Sequence, residues 1–199
     1  MAEDKTLWSD ATVPKTGVSI YEALYQRRSV WKFQERAVAH EALERLLQTV
    51  AWAPNHRMTE PWRFVVMEQG SELRQRLSQL VYDEMLKEMG DTERAEAYRA
   101  KVQDPPVIAY VYNVQGRDEF GTRENYASVM MGVQNMALAG VAEGLAVTLE
   151  TGRVSRVPGL EGLLGAEGDW EMVGMLSIGY PDEESVASRT PMTGFVRWG

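Results

Sequence analysis

The chain has 199 residues, 44% hydrophobic and 25% charged, with 29 acidic against 21 basic side chains and a formal net charge of −8. That length holds one sizeable core and is short for two. The acidic balance disfavours nucleic acid and anionic membranes as partners, and the absence of cysteine rules out disulfides, thiolate nucleophiles and Cys-based metal sites.

Residues 1–18, ending in Pro14 and Gly17, are expected to form an arm ahead of a single domain over 19–199. They contain no apolar run of the signal-peptide kind, and together with the lack of cysteine this points to the cytoplasm. Ser19-Ile20-Tyr21-Glu22 matches a capping box and predicts a short helix running to Arg27-Arg28-Ser29. Val30 to Phe33 is expected to be extended. Leu43, Leu46, Leu47 and Val50 share one face of a helix from His40 to about Trp52, which Pro54 stops. The loop APNHRMTEPWRFVV follows and leads into a strand from Trp62 to Met67.

Ser71 to about Ala100 is charge-rich and helical, and its polar stretch from Lys87 to Lys101 predicts a solvated helix or lid. Val107 to Val114 is a strand and Gly116 to Gly121 a turn. The run from Glu124 to Glu143 predicts a helix buried all round, too short in its apolar part to cross a membrane. Ala146 to Glu150 is a short strand, 151–164 a loop with a possible short helix, Glu171 to Gly179 a strand, and 181–199 a polar tail. The irregular mixture of strands and helices favours an α+β layered fold over a doubly wound sheet. The long apolar helix and the Trp-bearing tail favour a dimer.

Two histidines, His40 and His56, lie in different elements, which gives no metal-ligand spacing. No nucleophile elbow, P-loop or dinucleotide fingerprint is present. Arg27-Arg28-Ser29 offers two guanidinium forks and a hydroxyl where a helix ends, a set that matches phosphate oxygens and equally suits a solvated helix C-terminus. The Pro54-Asn55-His56 loop is a stiffened loop with polar tips that would edge a planar polar ligand, or a packed turn anchored by Trp62. Thr148-Leu149-Glu150-Thr151-Gly152 ends a strand with free backbone N–H groups, or is a plain strand end.

In this order, the helix followed by RRS, the APNHRMTEPWRFVV loop, the apolar central helix, the TLETG segment and the final Arg189-Thr190-Pro191 resemble the nitroreductase family of FMN-dependent oxidoreductases over about residues 19 to 198. The Pro-Asn-His form looks most like its minimal YdjA-type subgroup. The resemblance implies a central, mostly antiparallel sheet flanked by helices, in an intertwined homodimer with FMN at the subunit interface. It implies NADH or NADPH as electron donor and nitroaromatic, quinone or related small molecules as acceptors, in a ping-pong hydride transfer through the flavin N5. By the same likeness, Arg27, Arg28 and Ser29 hold the FMN phosphate and ribityl chain, and Arg189 joins them on the phosphate. Pro54, Asn55 and His56, with Trp52 before them, would reach the flavin from the other subunit, and Leu149, Glu150 and Thr151 would pass its ring. No catalytic side chain is implied, because the flavin carries the chemistry. A non-catalytic flavin-binding or sensing protein would carry the same motifs, and a structural dimer with an empty site is a third reading. The sequence departs from the commoner family pattern at Trp31, where many relatives have Arg, at Met58 (Asn) and at Glu60 (Gln). Glu150 fits one branch, whereas the YdjA-type subgroup carries Trp-Arg-Ser there.

Overall fold

The structure, a computed structural model, describes residues 14–199. Most of the expected arm over 1–18 lies outside the described residues. The chain runs α1 (Ile20–Gln26), α2 (His40–Val50), a 3-10 turn (His56–Met58), β1 (Trp62–Glu68), α3 (Glu72–Met89), α4 (Thr92–Gln103) and β2 (Val107–Val114). It continues through α5 (Glu119–Ala142), β3 (Ala146–Glu150), α6 (Leu160–Leu164) and β4 (Trp170–Gly179).

The four strands form one sheet in the order β1-β2-β4-β3, with every neighbouring pair antiparallel. Strand β2, VIAYVYNV, is apolar almost throughout because both its faces are covered. Val107, Ala109 and Val111 point into a core with Leu43, Leu46 and Val50 of α2 and Val129, Val133 and Met136 of α5. Ile108, Tyr110 and Tyr112 point to the opposite core, with Leu77, Val81 and Met85 of α3, Ala95 and Val102 of α4 and Leu160 and Leu164 of α6. The α+β layered arrangement expected from the sequence is therefore present, as helices on both faces of an antiparallel sheet.

Ser19 caps α1 through the predicted box, accepting from the Glu22 amide at 3.2 Å while Ser19 N–H donates to Glu22 Oε2 at 2.7 Å. The continuous helix predicted from Ser71 breaks in two. Gly90 adopts a left-handed φ of 65° that closes α3, and the Asp91 side chain caps α4. Helix α4 is not a free solvated lid, since Ala95 and Val102 are fully buried against α3 and the sheet. Helix α5 begins five residues earlier than predicted because Asp118 caps it, accepting from the Gly121 amide at 2.7 Å. Its close approach to α2 needs Gly132, where a Cβ would lie 2.6 Å from Val50 Cγ1.

Helix α5 is not buried all round in the single chain. It buries one face through Ser128, Val129, Gly132 and Met136 and leaves Phe120, Tyr126 and Met131 exposed. On α1, Ile20, Tyr21, Leu24 and Tyr25 are exposed, as are Trp52 and Met58 on the loop and Phe195 and Trp198 in the tail. Among the described residues, no helix is long and apolar enough to cross a membrane.

Candidate cofactor site

Arg27, Arg28 and Ser29 leave the C-terminus of α1. The Arg27 amide closes the helix on the Ala23 carbonyl. Arg28 Nη1 donates to the carbonyls of Tyr25 at 2.6 Å and Arg27 at 2.9 Å, which folds its guanidinium back over the helix end. Arg28 Nε is buried without a partner, and Ser29 is exposed. The next residue locks this segment to the sheet. The Val30 amide donates to Thr148 Oγ1 at 2.8 Å, and the same hydroxyl donates to the Val30 carbonyl at 3.0 Å, both groups being buried. The Arg-Arg-Ser segment and the Thr148–Thr151 segment are thus neighbours in space, although far apart in sequence.

Within that second segment, Leu149 is half-buried, Glu150 buried and Thr151 exposed. Ser155 Oγ donates to the Glu150 carbonyl at 3.1 Å and fixes the turn out of β3. The Glu150 carboxylate accepts from Lys101 Nζ of α4 at 2.6 Å. The tail also docks here. Glu183 accepts from the amides of Trp31 at 2.5 Å and Lys32 at 3.2 Å, and these bonds, the Trp31 one first, hold its carboxyl below the usual range. Arg189 lies beyond it, exposed, with Nη1 donating to the Ser188 carbonyl at 3.0 Å.

The Pro54-Asn55-His56 loop sits elsewhere. Asn55 is its internal brace: Nδ2 donates to Thr59 Oγ1 at 3.0 Å and Ser128 Oγ at 3.2 Å, and Oδ1 accepts from the Glu60 amide at 2.8 Å. Thr59 Oγ1 donates to Asn125 Oδ1 at 2.7 Å, and Asn125 Nδ2 donates to the Val114 carbonyl at 2.9 Å, which ties the loop to α5 and the end of β2. Asn55's amide is therefore spent within the protein, whereas His56 is exposed, with its Nε2 accepting from Arg57 Nε at 3.0 Å. Trp52 and Pro54 are exposed beside it. Glu60 has no ion pair with Arg57 or Arg63; Arg63 Nη1 instead donates to its backbone carbonyl at 3.0 Å.

Strand order separates the two halves of the expected site. The loop feeds β1 at one sheet edge, and the Arg-Arg-Ser segment is locked to β3 at the other. Three inter-strand spacings give about 14 Å. Trp62 and Thr148 also align with opposite ends of β4, near Glu171 and at Ser177. That adds six residues along the strand, about 20 Å. One chain does not wrap both halves around a single ligand.

A family model for the nitroreductase family matches residues 24–180 of this sequence. The chain belongs to the nitroreductase family. YdjA of Escherichia coli K12, named for a proposed NAD(P)H nitroreductase activity, is 27% identical over 168 residues, covering 84% of this chain and 91% of that one. The crystal structure of a nitroreductase-like family protein from Bacillus cereus superposes with a TM-score of 0.82 at 28% identity, over 94% of this chain and 98% of that one. A protein from Desulfovibrio desulfuricans, solved in complex with FMN, shares the fold with a TM-score of 0.73 at 22% identity, over 92% and 98% of the two chains. The YdjA likeness read from the loop is thus met among the chain's relatives. Three residues that the sequence did not assign to the site matter to its geometry: Thr148, Lys101 and Glu183. Each acts through a partner remote in sequence, and only Thr148 lay inside a motif. Among the described residues, no group of three or more His, Asp or Glu could hold a metal.

Proposed function

We propose that this nitroreductase-family chain is an FMN-dependent oxidoreductase that takes reducing equivalents from NADH or NADPH and works as a homodimer. The observation that carries the proposal is the locking of Arg27-Arg28-Ser29 against Thr148–Thr151, with a buried guanidinium nitrogen, Arg28 Nε, left unpartnered. Buried donors are nearly always paired, and two guanidiniums beside a hydroxyl suit a phosphate. In a chain of net charge −8, a concentrated cationic segment is also what an anionic cofactor requires. The residues fit FMN on these grounds.

Arg27, Arg28 and Ser29 hold the phosphate end, with Arg189 added from the tail. Backbone groups of Leu149, Glu150 and Thr151 pass the ring. Pro54 and His56, with Trp52, close the site from the second copy, and Asn55 keeps that loop in shape. The separation of the two half-sites across the sheet supports a second copy, and so do the exposed apolar side chains of α1 and α5. FMN, when bound, supplies hydride exchange with the nicotinamide and then with an acceptor in the same cleft, nitroaromatics and quinones being the class proposed. The protein's own work is to bind, orient and exclude water.

The test is the purified protein itself. It should be yellow or become so on adding FMN, bleach anaerobically with NADH or NADPH, and regain colour with a nitroaromatic or quinone. Arg27→Ala should weaken FMN binding. Flavin that binds and never bleaches would replace the enzyme with a flavin-binding or sensing protein, and a chain that takes up no FMN would defeat the proposal.

A further inference from the structure

Glu150 stands at the end of β3 in the segment assigned above to the flavin ring, with 8% of its side chain exposed. A poorly solvated carboxylate is costly unless paired. Its partner is Lys101, in the last turn of α4, with Nζ to Oε2 2.6 Å. The same ammonium lies over the Trp31 ring at 5.2 Å and faces the Tyr98 ring at 6.0 Å. The pair sits in a cleft of about 290 Å³ lined by Trp31, Phe33, Lys101, Asp104, Glu150 and Ser177. Trp31 lies two residues beyond the Arg-Arg-Ser segment, so one ammonium contacts the chain leading out of that segment as well as Glu150.

We propose that Lys101 is a positioning residue for the flavin site: by pairing with Glu150 it fixes residues 149–151 and neutralises the carboxylate they carry, and so sets the midpoint potential of the bound flavin. The inference rests on the assignment of residues 149–151 to FMN. A reduced flavin carries more electron density than an oxidised one. An uncompensated carboxylate beside it disfavours reduction, and an uncompensated ammonium favours it. Removing either partner therefore moves the potential in opposite directions, whereas loosening of a merely structural tie moves both variants the same way. The double variant restores neutrality, as in a double-mutant cycle.

The experiment equilibrates FMN-loaded protein with a reference dye during anaerobic reduction. Lys101→Met should lower the midpoint potential, Glu150→Gln should raise it, and the double variant should return near the starting value. Each single shift corresponds to about a tenfold change in the ratio of affinities for reduced and oxidised FMN, about 30 mV for a two-electron couple. Lys101→Arg keeps the charge and should keep the potential. If Lys101→Met fails to fold, Glu150→Gln carries the test alone, and no rise there overturns the inference. Equal potentials in all variants, or single variants that shift in the same direction, also overturn it and leave the flavin assignment standing. Wild-type protein that takes up no FMN overturns the flavin assignment, and the inference falls with it.

Discussion

Replacing Thr148 by Val tests the link between fold and site most directly. The hydroxyl of Thr148 is fully buried and satisfies both the N–H and the C=O of Val30, itself only 5% exposed. Valine keeps the shape and removes the hydroxyl, leaving two main-chain groups buried without partners. Each such group costs about 1–3 kcal/mol, so the loss should be about 3 kcal/mol in all. For a chain of this size that lowers the melting temperature by about 6–12 °C. The release of Val30 also frees the Arg-Arg-Ser segment, so FMN affinity should fall by about tenfold, roughly 1.4 kcal/mol. Thermal melts of the apoprotein and titration of flavin fluorescence measure the two effects. Thr148→Ser retains the hydroxyl and should cost only the lost methyl, about 0.5–1.5 kcal/mol. A Val variant as stable as the parent, or a Ser variant as damaged as the Val one, would refute the reasoning.

Arg74 is 3% exposed and donates to the carbonyls of Met67, Val102, Gln103, Pro105 and Pro106, while burial lowers its pKa to about 10. Arg74→Met should destabilise the protein by about 3–5 kcal/mol, seen as a lower urea midpoint, because the Val102, Gln103, Pro105 and Pro106 carbonyls belong to the turn from α4 into β2 and lose their donor. In alkali, burial pushes the Tyr112 hydroxyl up to about 12 from 10.0, and Tyr110 further still. A folded-state pKa above the unfolded one means that stability is intact below pH 10 and falls as pH climbs toward 12, by about 3 kcal/mol for Tyr112 alone. Urea midpoints measured at rising pH should decline over this window, and Tyr112→Phe should flatten the decline.

What the sequence made legible follows from how local each signal is. The run from Val107 to Val114 announced a strand, and Ser19 with Glu22 announced a helix start; both signals are contained within a few residues. The break at Gly90-Asp91 had its local signal, a left-handed closing glycine followed by a capping aspartate, but strong helix formers on both sides masked it. The exposed side chains of Phe120, Tyr126 and Met131 could not be told from core, because an apolar side chain reads alike in sequence whether it is buried in its own chain or left exposed. Arg27–Ser29 and Leu149–Thr151 were assigned to the site through family likeness. The bonds that fix these segments were not, since Val30 and Thr148 are 118 residues apart and Lys101 and Glu150 are 49 apart.

The departures at positions 58 and 60 have a conformational meaning. Arg57, Met58 and Glu60 hold left-handed φ values of 60°, 51° and 47°, a region that side chains other than Gly, Asn and Asp enter at a cost. Strain of about 1–3 kcal/mol per residue persists only where the surroundings enforce it, and here the Asn55 side chain clamps the loop from both ends while Thr59 ties it to α5. Asparagine, the residue that many relatives carry at position 58, tolerates this backbone because its amide can bond locally. Met58→Asn should therefore stabilise the protein by about 0.5–1 kcal/mol relative to Met58→Ala, since both remove the Met side chain and only one relieves the backbone. Melting temperatures of the two variants, compared under one condition, decide it. An Asn variant no more stable than the Ala variant would mean that the left-handed turn at residue 58 costs nothing here.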